Sequence, residues 1–108
     1  MVSQKLSTEK VAFQLILHSG NARSLLMEAM RFARDNEFEL AETKVSEAKY
    51  ELNEAHRSQT SLIQNEALGT SVEFSILLVH AQDHLMTTIT VKELTEEIIY
   101  LHKKIENS

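Results

Sequence analysis

The sequence predicts an all-α fold in which three long helices form an up-down-up antiparallel bundle. It contains no proline and only two glycines in 108 residues, too few turn-forming residues for a β-rich or loop-rich domain. Apolar residues recur at spacings of three and four along most of the chain, which is the period of an amphipathic helix. Short turns between long helices then give a bundle. We expect residues 1–108 to form a single domain, with residues 1–7 flexible.

The first helix is predicted to run from Thr8 to Arg34. Ser7 or Thr8 can cap it, and Glu9 suits the positive end of the helix dipole. Gly20 lies inside this helix, where glycine costs about 1 kcal/mol relative to alanine. Two interpretations of Gly20 are open: close packing against a neighbouring helix, or room for a docking partner.

The second helix follows the turn-forming pair Asp35 and Asn36 and continues to about Ala67. Its apolar seam alternates steps of three and four, as in a coiled-coil heptad. The seam consists of Phe38, Ala41, Val45, Ala48, Leu52, Ala55, Gln59 and Leu62. This regularity predicts one continuous buried stripe, in which a polar Gln59 could simply fix the register of the helix.

The third helix is predicted to follow the turn at Gly69, with Ser71 as its N-cap and Glu73 in its first turn, and to end near Ile105. Its expected core stripe is Phe74, Leu77, Ala81, Leu85, Thr88, Val91, Ile98, Leu101 and Ile105. A second stripe on another face consists of Ile76, Val79, Asp83, Thr87, Thr90, Leu94 and Leu101. A helix with two such stripes needs two partners. Because its own bundle supplies only one, the pattern predicts a homo-oligomer.

Charge and composition exclude several classes of function. The formal net charge is −5 with histidine neutral, which argues against a nucleic-acid partner, since phosphate backbones call for basic patches. The absence of cysteine excludes a disulfide framework and thiolate chemistry. No apolar run approaches the roughly 20 residues needed to span a bilayer, and residues 1–10 lack the apolar region of a secretory signal. We therefore expect a cytoplasmic protein without direct membrane insertion.

The residues best suited to chemistry lie early in the third helix. His80, Asp83 and His84 stand at i, i+3 and i+4 and therefore share one helix face, whereas Gln82 points elsewhere. A neutral imidazole is a good nucleophile near neutral pH, and its phosphoramidate stays reactive enough to pass a phosphoryl group on. Helices of equal rise would place Gln59 near the height of His80. Either Gln59 or Asp83 could then hold the tautomer of the imidazole.

Each of these residues also has an ordinary structural interpretation. A single histidine in a helix is usually a surface or satisfied core residue, as we expect for His18 and His102. His80 and His84 resemble half a metal site but lack a third ligand at matching spacing. Asp83 is harder to explain in this way, since a buried carboxylate among apolar neighbours needs a cation or a proton.

Three stretches resemble the enzyme IIA components of the lactose/cellobiose family of the bacterial sugar phosphotransferase system. They are residues 20–24 (GNARS), residues 54–60 (EAHRSQT) and, above all, residues 80–88 (HAQDHLMTT). The third stretch is specific to the family, and the other two support it. Length and helix order match over nearly the whole chain.

The resemblance implies a fold, a reaction and partners. The family forms parallel homotrimers of three-helix subunits, nine helices in all. Its phosphorylated residue matches His80, which we expect to form tele-phosphohistidine, supported by Gln59, Gln82, His84 and His56. The donor would be the phosphorylated histidine phosphocarrier protein. The acceptor would be a cysteine of the cognate IIB component, during uptake of a disaccharide such as lactose, cellobiose or chitobiose.

The resemblance also implies a metal ion. A carboxylate that matches Asp83 holds an ion on the threefold axis of the family. We expect Mg²⁺, one per trimer and shared by the three copies of Asp83, because this cation suits oxygen ligands completed by water. Two other functions stay open: a helical oligomeric adaptor without chemistry, and a metal-dependent hydrolase that uses His80, His84 and Asp83.

Overall fold

Three helices build the fold, as predicted. The computed structural model describes residues 8–69 and 75–108. The helices are α1 (Thr8–Arg34), α2 (Phe38–Ala67) and α3 (Ile76–Glu106). The C-terminal ends of α1 and α2, at Arg34 and Ala67, lie where the sequence predicts them, and α1 is helical from Thr8, the first described residue. The prediction that residues 1–7 are flexible falls outside the described residues.

Polar contacts between helices fix the antiparallel order and the relative heights. Lys44 of α2 pairs with Glu28 of α1 at 3.4 Å, and Glu51 of α2 lies 2.8 Å from His18, farther back along α1. Lys49 of α2 likewise pairs with Glu96 of α3 at 3.1 Å. Farther along α3, Lys103 pairs with Glu42. The chain therefore runs up, down and up along a rod of 63 × 21 × 19 Å.

The turn between α1 and α2 uses the left-handed conformation of Asn36, whose φ is 63°. The amide of Glu37 donates to the carbonyl of Phe32 at 2.9 Å, and the amide of Asn36 donates to that of Ala33 at 3.0 Å. This pair of hydrogen bonds is the Schellman arrangement that closes a helix C-terminus. Asp35 and Asn36 therefore end α1 as expected, while the N-cap of α2 is Glu37, which makes no side-chain cap bond.

The start of α3 differs from the prediction. Ser75 is its N-cap, and the Ser75 side chain accepts a hydrogen bond from the amide of Leu78 at 3.0 Å. The expected cap Ser71 and the expected first-turn residue Glu73 lie outside the described residues. Serine stands at both candidate cap positions, 71 and 75. The choice between them depends on where the turn after Gly69 ends, which local sequence does not determine.

Small residues allow the helices to approach closely at the centre of the bundle. Fully buried alanines line all three helices: Ala12, Ala22, Ala29, Ala33, Ala41, Ala48, Ala55 and Ala81. Leu15, Leu26 and Leu85 fill the space between them and are also fully buried. Helix α1 packs closely on both other helices, whereas α2 and α3 contact each other less. A groove therefore stays open between α2 and α3.

The two faces predicted for α3 are partly revised. Ala81, Leu85 and Thr88 are buried as expected, but Leu101 and Ile105 are 55% and 68% exposed. Thr95 and Ile99 occupy the core instead, because the helical period drifts relative to the pattern read from the sequence. The members of the second stripe are all exposed: Ile76, Val79, Asp83, Thr87, Thr90, Leu94 and Leu101. This face of α3 is uncovered in the single chain.

Gly20 makes no close packing contact with the described part of the subunit. A Cβ built at Gly20 would meet no atom of residues 8–69 and 75–108 within 4 Å. The interpretation that this glycine allows close contact with another helix of the same chain is therefore wrong. Room for a docking partner remains as a prediction.

None of the helices described, over residues 8–69 and 75–108, is long and apolar enough to cross a membrane. The apolar residues of each helix are interleaved with charged ones at helical spacing, the pattern of an amphipathic helix in a bundle. The buried stripes described above account for this pattern.

Candidate functional site

His80 lies in the second turn of α3, where its side chain is exposed. The ring of His84 follows one turn later, and the two ring centroids are 6.1 Å apart with planes at 70°. This edge-on contact confirms that the two imidazoles share one face. His84 is half-buried, so it can support one side of the His80 ring while the other side faces solvent.

Asp83 is exposed on the uncovered face of α3. Its backbone carbonyl accepts a hydrogen bond from the hydroxyl of Thr87 at 2.9 Å. This bond involves the main chain of Asp83 and not its carboxylate, which is exposed to solvent. Within the described parts of one chain, no three His, Cys, Asp or Glu side chains form a group able to hold a metal ion. A cation at Asp83 would therefore need ligands from water or from other copies.

Gln82 and Gln59 form a pair on the opposite flank of α3 from His80. The Gln59 amide Nε2 donates to Gln82 Oε1 at 2.6 Å, and both side chains are half-buried. Two residues along an α-helix turn the side chain by roughly 200°, so Gln82 points away from the His80 of its own chain. The expected height of Gln59 is right to within a turn. Because Gln59 bonds Gln82 in this subunit, its role in holding the His80 tautomer stays a prediction.

His56 also lies apart from His80. Its side chain is exposed and lines a cavity between α2 and α3, beside Ile89 and Lys92. Ile89 is more than two turns along α3 from His80. His56 is therefore not adjacent to His80 within one subunit.

A second polar cluster joins α1 to α2, and the sequence alone did not reveal it. With Glu51 as acceptor, His18 Nδ1 donates at 2.8 Å and Asn21 Nδ2 donates at 3.2 Å. The hydrogen bond from His18 is the main cause that lowers the pKa of the Glu51 carboxyl below its ordinary value. The feature of the sequence that points to this cluster is the i, i+3 spacing of His18 and Asn21, which places two polar residues on one edge of α1. One turn earlier on that edge, Gln14 accepts a hydrogen bond from Ser58 at 3.0 Å.

This arrangement can present one nucleophilic imidazole to another protein. His80 is exposed on a rigid helix, with a neighbouring ring to limit its rotation. Phosphoryl transfer requires positioning and charge stabilisation more than covalent machinery. Such a site suits a carrier whose reaction partner brings the rest of the groups.

The sequence profile of the lactose/cellobiose-specific IIA subunit of the phosphotransferase system (PTS) matches residues 10–103. This chain belongs to that family. The lichenan-specific phosphotransferase enzyme IIA component of Bacillus subtilis is 52% identical to this IIA subunit over 97 residues, covering 90% of this chain and 88% of the relative. Relatives named for lactose, oligo-β-mannoside and N,N'-diacetylchitobiose are 42% to 44% identical.

Solved structures agree with this assignment. The cellobiose-specific enzyme IIA from Bacillus anthracis matches this IIA subunit with a TM-score of 0.91 and 52% identity, covering 100% of this chain and 96% of that one. The IIA subunit in the IIA(chitobiose)–HPr complex of Escherichia coli matches with a TM-score of 0.81 and 40% identity, covering 94% and 98% of the two chains. The protein is thus a IIA component, a phosphotransfer subunit of a sugar transport system.

Proposed function

We propose that this IIA subunit accepts a phosphoryl group on His80 from the phosphorylated histidine phosphocarrier protein and passes it to a cysteine of the cognate IIB component. The observation that carries the proposal is the exposed imidazole of His80, held on α3 beside His84. The relative in complex with HPr supports the identity of the donor.

The reaction balances as two transfers of one group. In the first, the neutral Nε2 of His80 attacks phosphorus, a P–N bond forms to His80, and the P–N bond to the donor histidine breaks. In the second, a cysteine thiolate of IIB attacks the same phosphorus, a P–S bond forms, and the imidazole of His80 leaves. Nε2 is the outer ring nitrogen, which suits in-line approach by a partner.

The uncovered stripe on α3 supports a parallel homotrimer. Ile76, Leu94 and Leu101 are 81%, 56% and 55% exposed on that face, and three copies meeting about one axis would bury them together. Closed symmetric oligomers are the usual way to cover such a stripe. Nine helices would then form the assembly, with α3 of each subunit at its centre.

This symmetry explains why Gln82 lies away from His80. In a ring of parallel subunits, the His80 flank of one α3 faces the Gln82 flank of the next at the same height. Gln82, already oriented by Gln59 at 2.6 Å, would approach His80 across the subunit interface. A neutral amide there can donate to a transferring phosphoryl oxygen.

Asp83 fits a shared cation in the same assembly. Its exposed position on the stripe would bring three carboxylates to the axis, where their mutual repulsion needs a compensating charge. Three carboxylates with water are a donor set suited to Mg²⁺, one ion per trimer. When bound, the ion would supply charge compensation for assembly, and the transfer at His80 would proceed on the imidazole alone.

We further propose that the protein works in the cytoplasm during uptake of a disaccharide such as lactose, cellobiose or chitobiose. The varied sugars named for its relatives support a β-linked oligosaccharide as the class. The sugar itself meets the permease and IIB components, so the IIA surface need not distinguish it.

Reconstituted transfer tests this proposal. The protein is incubated with labelled phosphohistidine phosphocarrier protein, then with candidate IIB components. Uptake of one phosphoryl group per chain, followed by its loss to one IIB, supports a carrier. An adaptor takes up no phosphate. A hydrolase releases free phosphate in a chelator-sensitive reaction without forming a phosphoprotein.

A further inference from the structure

Opposite edges of the bundle carry features that one subunit does not use. On α1, Gly20, Arg23 and Met27 recur at spacings of three and four and share one edge, which we call the α1 edge. The residues of α1 that contact α2, such as Asn21 and Glu28, lie on the other edge. The α1 edge therefore faces away from α2.

The groove between α2 and α3 is open in the opposite direction. Its cavity holds about 300 Å³. We call it the α2–α3 groove, lined by Glu42, Val45, Ser46, Lys49, Glu96, Ile99, Tyr100 and Lys103. Buried Val45 and Ile99 form an apolar floor. Pairs of opposite charge flank it, since Lys49 bonds Glu96 and Lys103 bonds Glu42.

The contacts between helices place these two features at one height. Met27 precedes Glu28, which pairs with Lys44, so Met27 is level with the part of α2 that includes Ser46. On α3, that part of α2 lies between its contacts at Glu96 and Lys103, which is the height of Tyr100. Met27 is 41% exposed, at the same height as the groove but on the far side of the bundle.

We infer that the α1 edge of each subunit docks into the α2–α3 groove of the next copy, with Met27 in the cavity. This inference rests on the homotrimer proposed above and goes beyond its central α3 contact. When three bundles surround one axis at α3, the outer side of α1 in one subunit faces the outer side of α2 in the next, at equal height. A flexible methionine side chain suits an irregular apolar cavity of this kind.

Charge and the glycine also fit this occupant. Arg23 of the α1 edge is exposed and has no ion pair within residues 8–69 and 75–108, and the same holds for Glu93 of α3. Glu93 lies two turns before Tyr100 on the flank of α3 that borders the groove, close to the height of Arg23. Gly20 lies one turn before Arg23, where its missing side chain leaves open space for the neighbouring copy.

Disulfide trapping tests the docking directly, because the chain has no cysteine of its own. The variant carries Met27→Cys and Ser46→Cys. Within one subunit Met27 lies on the edge of α1 that faces away from α2, whereas Ser46 lines the α2–α3 groove. A disulfide requires Cα atoms within roughly 7 Å, so we expect none between these two positions of the same chain. Mild oxidation is expected to produce covalent dimers and trimers of the 12.3 kDa chain on a non-reducing gel.

The matched control pairs Met27→Cys with Glu47→Cys, which turns the second thiol by about 100° away from the groove at nearly the same height. The control is expected to remain at the single-chain position. Equal cross-linking of both variants would overturn the inference. The inference would also be overturned if the variant with Met27→Cys and Ser46→Cys formed a trimer in light scattering but gave no cross-link. In that case the proposed trimer would be retained and only the docking contact rejected. A single-chain mass in light scattering would remove the trimer as well, leaving phosphate uptake by His80 as a separate result.

A charge reversal provides a second test. Arg23→Glu places like charges together and is expected to raise the concentration needed for trimer formation at low salt by about tenfold. Glu93→Arg in the same chain should restore assembly, and added salt should shrink the difference. If Arg23→Glu leaves assembly unchanged, or if Glu93→Arg fails to rescue it, the proposed pairing is wrong. Capture of the phosphocarrier protein or IIB by the groove, lost in Tyr100→Ala with assembly intact, would assign the groove to that partner and overturn the inference.

Discussion

His80 and Gln82 are only two positions apart on α3, but their side chains lie in opposite surroundings. His80 is exposed beside His84, whereas Gln82 is half-buried and bonded to Gln59. The first position suits a group that another protein must reach. The second suits a group that is held still, as the proposed contact with His80 of a neighbouring copy requires.

The ring of His84 is expected to position His80 without reacting. His84→Ala should leave the amount of phosphate bound per chain unchanged and slow its uptake by up to about tenfold, because an edge-on ring contact is worth about 0.5–1.5 kcal/mol. Single-turnover transfer from the phosphocarrier protein measures both quantities. Complete loss of phosphate uptake in His84→Ala would instead give His84 a direct part in the reaction.

Ser19 offers a residue-scale test of the core. Its hydroxyl is fully buried and has no hydrogen-bond partner among residues 8–69 and 75–108, so its desolvation is uncompensated. Ser19→Ala is expected to leave the free energy of unfolding unchanged or to raise it by about 1 kcal/mol. Urea denaturation compares Ser19→Ala with a control, Thr95→Ala. In the unchanged protein the Thr95 hydroxyl donates a hydrogen bond to the carbonyl of Val91 at 2.7 Å. A clear loss of stability in Ser19→Ala would reveal a buried partner, such as a water molecule.

At the scale of the helices, local sequence predicted those features that local chemistry determines. Asn36 tolerates the left-handed conformation that ends α1, and the period of α2 fixed its buried stripe from Ala41 to Leu62. The start of α3 was missed, because serines at two positions could each cap a helix. The contact of Gln59 with Gln82 was also missed, since height along a helix can be counted but the facing flank depends on how the helices pack.

The cluster of His18, Asn21 and Glu51 makes the contact of α1 with α2 depend on pH. The pKa of Glu51 is lowered by its bond to His18, so the folded state binds a proton at Glu51 less readily than the unfolded chain. The stability from this bond is therefore present above the ordinary carboxyl pKa of 4.5 and is lost as the pH falls below it. Glu51→Gln is expected to cost about 1 kcal/mol at pH 7 and to lose less stability on acidification than the unchanged protein. Parallel urea titrations at pH 7 and pH 4 measure this difference, and an equal acid loss in both proteins would contradict it.

At the scale of the whole molecule, the exposed stripe on α3 predicts the assembly. Light scattering is expected to give about three times the chain mass of 12.3 kDa. A single-chain mass at micromolar concentration would contradict both the trimer and the shared site at Asp83.

The role of Asp83 is expected to be assembly. Asp83→Leu should still form trimers and resist heat at least as well as the unchanged protein, because apolar side chains often replace a buried charge cluster without loss of stability. Its assembly should also become insensitive to chelators. Thermal unfolding with and without added Mg²⁺ measures this, with Asp35→Leu in the exposed turn as a control. Failure of Asp83→Leu to assemble would assign the carboxylate a further structural role.

Such an assembly could not be read fully from one chain. The sequence predicted that α3 has a second apolar face, and the structure confirms that this face is uncovered. In the proposed trimer, the side chains of neighbouring copies that would complete the site at His80 depend on the symmetry of the contacts between copies. No single motif contains that information, because it depends on which side of α3 in one copy, such as that of His80, faces which side of α3 in the next, such as that of Gln82.

The most direct test of the central claim is to locate the phosphoryl group on the protein. The chain is incubated with the phosphorylated phosphocarrier protein, and intact-mass and peptide mass spectrometry at neutral pH identify the modified residue. We expect one phosphoryl group per chain, on His80, and none in His80→Ala, whose circular dichroism should match that of the unchanged protein. A phosphoryl group on His84, His56 or His18, or uptake that persists in His80→Ala, would contradict the account.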